Sequence, residues 1–165
     1  MNMENARQFV EDCGLFYEAT GLGRTHGRVI GWLMICDPPH QTLDELADAL
    51  QNSKSTISPV TRMLVQYGLI ERISRPGERK DYYQMVEGFW INVVGRALEE
   101  FRAARALAER GLTLLDDAPE GQKRHVRQMY EMYGFFERRF PPLLDDWIAY
   151  QDELPGAPDN EASQG

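Results

Sequence analysis

A mainly α fold, a winged helix-turn-helix with a β-hairpin wing and long terminal dimerisation helices, is predicted by three features of the sequence. First, Thr42 to Tyr83 (TLDELADALQNSKSTISPVTRMLVQYGLIERISRPGERKDYY) reads without a gap as short helix, tight turn, second helix and basic hairpin. That order places one helix in a major groove and a loop on the neighbouring backbone. Second, apolar residues recur at helical spacing on both sides of this segment. Third, the apolar stretch that follows it runs too long for a small winged domain to cover, and a partner subunit is the economical way to bury it. Four regions follow: a packing and dimerisation helix over 1–24, the winged motif over 25–87, a helical dimerisation region over 88–152, and a tail over 153–165.

The first helix is expected over Glu4 to Ala19, with Phe9, Cys13 and Phe16 recurring on its apolar face and Val10 and Tyr17 beside them, ended by Gly21 and Gly23. A second begins near Thr25 and carries Val29, Ile30, Leu33 and Met34 inward. Gly23, Gly27 and Gly31 recur every four residues, which marks a close helix contact. The DPPH stretch from Asp37 to His40 stops that helix, because neither proline supplies an amide hydrogen.

Thr42 with Glu45 three residues later forms a capping box, and Leu43, Leu46, Ala47 and Leu50 face inward behind it. Ser53 caps the second motif helix, whose Ile57, Val60, Leu64 and Tyr67 fall at core spacing. Its outer face then carries Lys54, Ser55, Ser58, Pro59 and Arg62, with Thr56 on the shoulder: short polar and basic groups suited to base edges and phosphates. Pro59 removes a normal helical hydrogen bond, so this helix either bends or starts later. Gln51 and Asn52 make the turn without glycine, and Asn is the better suited to a left-handed backbone. Gly68 ends the helix, and the hairpin follows with Pro76 and Gly77 at its turn and Arg75, Arg79 and Lys80 at its tip. These cations are read as contacts to the DNA backbone or minor groove, rather than as a solvated surface loop, because the hairpin directly follows the reading helix. Arg79 is the first choice for insertion into a groove, and Arg72 is placed to pair with Glu71 or Asp81.

Phe89, Val93, Ala97, Phe101, Ala104, Ala108 and Leu112 step along one side of a long helix between Gly88 and Leu115, widened by Trp90, Val94, Leu98 and Leu107. Another helix from Gln122 to Phe140 presents Val126, Met129, Tyr130, Tyr133 and Phe136. Pro141 and Pro142 are expected to interrupt it, leaving Leu143, Leu144, Trp147 and Ile148 on a last docked helix. The tail from Leu154 has little to bury and is expected to be disordered.

The stretch from THGRVIGWLM through both motif helices to GLIERI, followed by GERKDYY and GFW, resembles the MarR superfamily of transcriptional regulators, in particular its GbsR-like branch. The resemblance covers roughly Gly21 to Trp90. It implies a homodimer whose terminal helices form the interface and whose reading helices address related half-sites of double-stranded DNA. By family position, Lys54, Ser55, Thr56, Ser58 and Arg62 belong to the reading helix, and Arg79 and Lys80 to the wing. The sequence departs from the pattern at Gln51-Asn52, where relatives carry Gly and an apolar residue, and at Pro59. The resemblance also implies a small-molecule effector pocket between the reading domain and the terminal helices, with Trp32, Trp90, Tyr130 and Tyr133 as candidate lining. These same aromatic residues also suit a plain core.

Composition sets the remaining bounds. The 165 residues carry 42% hydrophobic content and a net charge of −8, enough for a real core and too acidic for indiscriminate binding to nucleic acid. The charge is uneven. Ser53 to Asp81 holds six basic residues against three acidic ones, and Leu143 to the end holds six acidic residues and no basic one. A local positive footprint still binds DNA, because phosphate contacts act over short distances at physiological salt. No apolar run reaches the length of a membrane span, and the start MNMENARQFVED lacks a secretory pattern. Cys13 and Cys36 make no disulfide framework, which fits a reducing cytoplasm, and both read as buried structural thiols. His26, His40 and His125 are too scattered for a metal cluster, no catalytic constellation appears, and no cofactor is called for. The leading reading is a dimeric repressor on a palindromic operator. A winged-helix protein-interaction module that does not read DNA is the rival, favoured by the net acidity.

Overall fold

A computed structural model describes residues 2–151 of the chain; the predicted tail from 153 lies outside them. The order is α1 (Met3–Ala19), α2 (Arg24–Ile35), β1 (Gln41–Thr42), α3 (Leu43–Ala49), α4 (Lys54–Gln66), β2 (Ile70–Ser74), β3 (Asp81–Met85), α5 (Phe89–Leu114) and α6 (Glu120–Gln151). Two compact units divide the chain between Asn92 and Val93.

The first unit is organised around α2. Val29, Ile30 and Leu33 are buried there against Leu46 and Leu50 of α3, Ile57 and Leu64 of α4, and Ile70 of β2. Each fully buried aliphatic side chain contributes about 1.5–3 kcal/mol through removal from water. α1 lies on the other side of α2, and glycines set how closely. A Cβ on Gly27 would stand 2.5 Å from the Cys13 carbonyl oxygen, and one on Gly31 would stand 2.8 Å from the Cys13 Cβ. The glycine spacing therefore marks a close helix contact, as predicted.

That closeness overturns one expectation. The buried face of α1 is Ala6, Val10 and Gly14, whereas Phe9 and Phe16, expected on its apolar face, are 40% and 62% exposed. The glycine face takes the backbone of Cys13 and Gly14 and the base of Tyr17, while Phe9 and Phe16 turn outward.

The motif helices are held by their ends. Thr42 caps α3 in a full capping box: the Glu45 amide donates to Thr42 Oγ1 at 3.2 Å, and the Thr42 amide donates to Glu45 Oε2 at 2.7 Å. α3 then ends in a paired closure, with the Asn52 amide donating to the Ala47 carbonyl (2.9 Å) and the Gln51 amide to the Asp48 carbonyl (3.2 Å). This is the Schellman arrangement, which needs a left-handed residue just past the helix. Gln51 takes that conformation at φ 52°; the expectation that Asn52 would take it is corrected. α4 closes the same way at Gly68, φ 66°, where the Leu69 amide donates to the Leu64 carbonyl at 3.0 Å.

The three-stranded antiparallel sheet has the order β1-β3-β2. β2 and β3 pair from Ile70↔Met85 to Ser74↔Asp81, and β1, which the sequence did not announce, adds Gln41↔Tyr83 and Thr42↔Tyr82.

In the second unit, Phe101 of α5 touches the rings of Tyr133, Phe136 and Phe140. Arg105 donates to Glu137 at 2.8 Å and to the Tyr130 hydroxyl at 3.0 Å. α6 runs unbroken through Pro141 and Pro142, against the predicted break. Proline's fixed φ is a helical value; the pair removes the amide donors for the Glu137 and Arg138 carbonyls, not the helical path. In the last turns Leu144 is half-buried, whereas Leu143, Trp147 and Ile148 are 62%, 38% and 42% exposed.

Candidate nucleic-acid interface

α4 starts where Ser53 accepts the Thr56 amide on its hydroxyl at 3.1 Å. Ile57, Val60, Thr61 and Leu64 are buried, and that choice of face decides the other. Lys54, Ser55, Thr56, Pro59 and Arg62 are exposed, and Ser58 is half-buried. Thr61, missed as a core position, is accommodated because its hydroxyl donates to the Ser58 carbonyl at 3.1 Å. Pro59 sits inside the helix without delaying its start, and frees the Ser55 carbonyl near the outward surface.

The outer face is tied up in few places. Ser53 Oγ lies 2.7 Å from Ser55 Oγ and 2.8 Å from Thr56 Oγ1. Lys54 Nζ lies 2.6 Å from Asp44 Oδ1 of α3. Arg62 Nε donates to the Ser58 carbonyl at 3.3 Å, which leaves the rest of its guanidinium for an outside acceptor.

The wing turns through Pro76 and Gly77, with Gly77 at φ 83° and the Glu78 amide donating to the Arg75 carbonyl at 3.1 Å, a type II turn in which glycine meets the need for positive φ. Its three cations differ. Arg75 is turned back: its Nη2 lies 2.7 Å from His40 Nε2 and its guanidinium stacks 4.8 Å from the centre of the Tyr82 ring. Tyr82 in turn donates its hydroxyl to Glu78. Arg79 and Lys80 are exposed at the tip, and Arg79 has no hydrogen-bond or ion-pair partner among the described residues. Arg72 pairs with Asp81 at 3.3 Å, one of the two partners expected for it.

Of the four aromatic residues proposed for an effector pocket, Trp32 lines a cavity of about 420 Å3 bounded by Met3, Arg7, Val10, Arg28, Leu50 and Gln51. Arg28 forms part of that wall, donating to the Leu50 carbonyl at 2.9 Å while its Nε lies 2.8 Å from Glu11. Trp90 lies against the Phe89 ring at a tilt, with centroids 4.3 Å apart, in the same unit. Tyr130 and Tyr133 belong to the other unit, bound to Arg105 and Phe101. The thiols are poorly suited to sensing: burial raises the pKa of Cys13 and pushes that of Cys36 up to about 11, keeping both as thiols rather than reactive thiolates. Among the described residues no helix is long and apolar enough to cross a membrane.

Comparison with known proteins identifies the family. A family model described as MmpR5-like MarR family transcriptional regulator matches residues 88–150, the helices beyond the wing. The chain is 36% identical over 130 residues to the HTH-type transcriptional regulator MmpR5 of Mycobacterium tuberculosis, covering 79% of each protein. It is 33% identical over 70 residues to the HTH-type transcriptional repressor OpcR of Bacillus subtilis, covering 42% of this chain and 37% of that one. A crystal structure of a transcriptional regulator superposes with a TM-score of 0.76 at 34% identity, covering 88% of this chain and 99% of the other. With its winged motif, its long terminal helices and a relative that it matches over most of both lengths, this chain belongs to the MarR family of transcriptional regulators.

Proposed function

We propose that this regulator is a homodimeric repressor that reads a palindromic operator, with α4 in the major groove and the wing tip on the flanking minor groove. The observation that carries this reading is the pairing of two surfaces on one unit. Lys54, Ser55, Thr56, Ser58, Pro59 and Arg62 lie along the outer side of a helix capped at Ser53. Arg79 and Lys80 stand exposed on the hairpin that follows it. Arg62 and the small hydroxyl residues are of the kind that approach base edges, and the tip cations suit phosphate and a narrow groove. Arg75, held by His40 and Tyr82, acts chiefly as the strut that orients the tip. The sign of control is proposed by analogy with OpcR, whose name makes it a repressor. Within the family, the GLIERI, GERKDYY and GFW segments support a place in the GbsR-like branch. A DNA reader with two free thiols works in the reducing cytoplasm.

The cavity beside Trp32 supports control by a small amphipathic molecule, since its wall includes Leu50 and Gln51 at the turn into α4. A molecule seated there would bear directly on that turn.

The test is selection of bound sequences from a random duplex library, followed by binding of the winner and a scrambled control at two salt concentrations. A palindrome with half-sites about one helical turn apart is expected. Weak binding without enrichment, strongly sensitive to salt, would overturn the reading in favour of a protein-interaction module.

A further inference from the structure

Lys54 and Asp44 stand ten residues apart in sequence and meet only because α3 and α4 cross. Lys54 is the first residue of the reading helix, and Asp44 lies in the first turn of α3. Their 2.6 Å contact is open to water, with side chains 62% and 48% exposed, and such pairs add little to stability. What the contact does is place a carboxylate within the candidate DNA face, on the basic group at the start of α4. The next cation along that helix is Arg62.

We propose that Asp44 is a specificity-determining residue that restrains Lys54 from indiscriminate phosphate contact. This rests on the reading surface proposed above. An ammonium group has three donors and swings on a flexible stem. Freed, it reaches for whichever phosphate is nearest, a contact that carries no sequence information. Held by Asp44, it keeps donors for a fixed acceptor such as a base edge. To turn instead to a phosphate, it must leave a bare carboxylate facing the DNA backbone. The penalty therefore falls on every non-cognate sequence, and is avoided where a base acceptor lies in line with the held ammonium. The acidic character of the chain as a whole, −8, lowers binding to all DNA alike. Asp44 discriminates because it acts through one side chain.

The experiment measures binding of the full-length protein to its selected operator and to a scrambled duplex over a range of salt. The variants are Asp44→Asn, Lys54→Gln, the double variant, and Asp48→Asn as an equal charge change further along α3. Asp44→Asn is expected to gain one phosphate contact on scrambled DNA, steepening the log–log salt slope by about 0.9, equivalent to about 3.5-fold between 50 and 200 mM salt. The ratio of operator to scrambled affinity falls accordingly. Neither change is expected in Asp48→Asn, nor when Asp44→Asn is added to Lys54→Gln. If Asp44→Asn leaves slope and ratio unchanged while Lys54→Gln weakens binding, the restraint does not exist. If Asp44→Asn strengthens binding equally with and without Lys54, the effect is general charge, and the proposal also falls. If Lys54→Gln changes binding to neither duplex, the fault lies earlier, in the placement of the reading surface. Equal thermal unfolding midpoints across the set establish that folding is not the variable.

Discussion

Gln51 holds the left-handed backbone that closes α3, a conformation costing an L side chain roughly 1–2 kcal/mol. Glycine removes that cost but adds freedom to the unfolded chain. Gln51→Gly is therefore expected to stabilise the protein by a net ~0.5–1 kcal/mol, and Gln51→Val to destabilise it, both read by urea unfolding. At the other end of α3, Glu45 has its pKa lowered, first by accepting the Thr42 amide and then by the Thr42 hydroxyl. The folded state thus binds its proton less readily than the unfolded chain. The resulting stability is fully present above the ordinary carboxylate range and is lost as pH falls through the lowered pKa. Wild type should exceed Glu45→Gln in stability at pH 7, and the gap should narrow as pH falls through and below the ordinary carboxylate range. A gap that is constant with pH would mean that the capping carboxylate acts only through its shape.

At the scale of elements, the contact of α1 with α2 depends on glycines that bring two backbones together. Gly27→Ala puts a methyl 2.5 Å from the Cys13 carbonyl and 2.9 Å from the Gly14 Cα, atoms that cannot swing aside. Overpacking of this kind costs about 1–3 kcal/mol, so a lowered urea midpoint is expected. Gly95→Ala, where nothing stands within 4 Å, should be neutral or stabilising through helix propensity. The same contact shows how far the sequence was legible. Caps and turns are local, and Thr42 with Glu45, Ser53, Gly68 and the Pro76-Gly77 turn were all readable from their spacing. The close glycine approach was readable too, but its consequence for Phe9 and Phe16 was not. Apolar periodicity says that a face will be covered without saying by what. β1 escaped notice because two residues give no period, and their partners at Tyr82 and Tyr83 lie some forty positions away. The bond from Lys54 to Asp44 and the hold of His40 on Arg75 were invisible for the same reason: each needs the fold to bring its halves together.

For the molecule as a whole, the exposed apolar residues bear on the proposed dimer. Leu15 and Phe16 on α1, and Phe135, Leu143 and Ile148 on α6, are 42–62% exposed. A monomer leaves these large side chains in water, and the proposed second copy would cover them. Sedimentation equilibrium is expected to give about twice the 19.0 kDa chain mass, and Phe16→Glu with Phe135→Glu to shift it towards one chain. A monomeric wild type would contradict the dimer. In the proposed dimer two locally basic surfaces would be joined on an otherwise acidic body, so that binding would depend on two correctly spaced half-sites rather than on charge alone.

The central claim is that α4 and the wing tip together read duplex DNA. Hydroxyl-radical footprinting of the selected operator with wild type, Arg62→Ala and Arg79→Ala tests it most directly. The wild type should protect two patches about one helical turn apart. Arg79→Ala should lose only the outer flank of each patch, and Arg62→Ala should weaken protection of the backbone across the centre of each patch. Footprints in which both variants retain the full wild-type pattern at wild-type affinity would place the DNA-binding surface elsewhere on the protein.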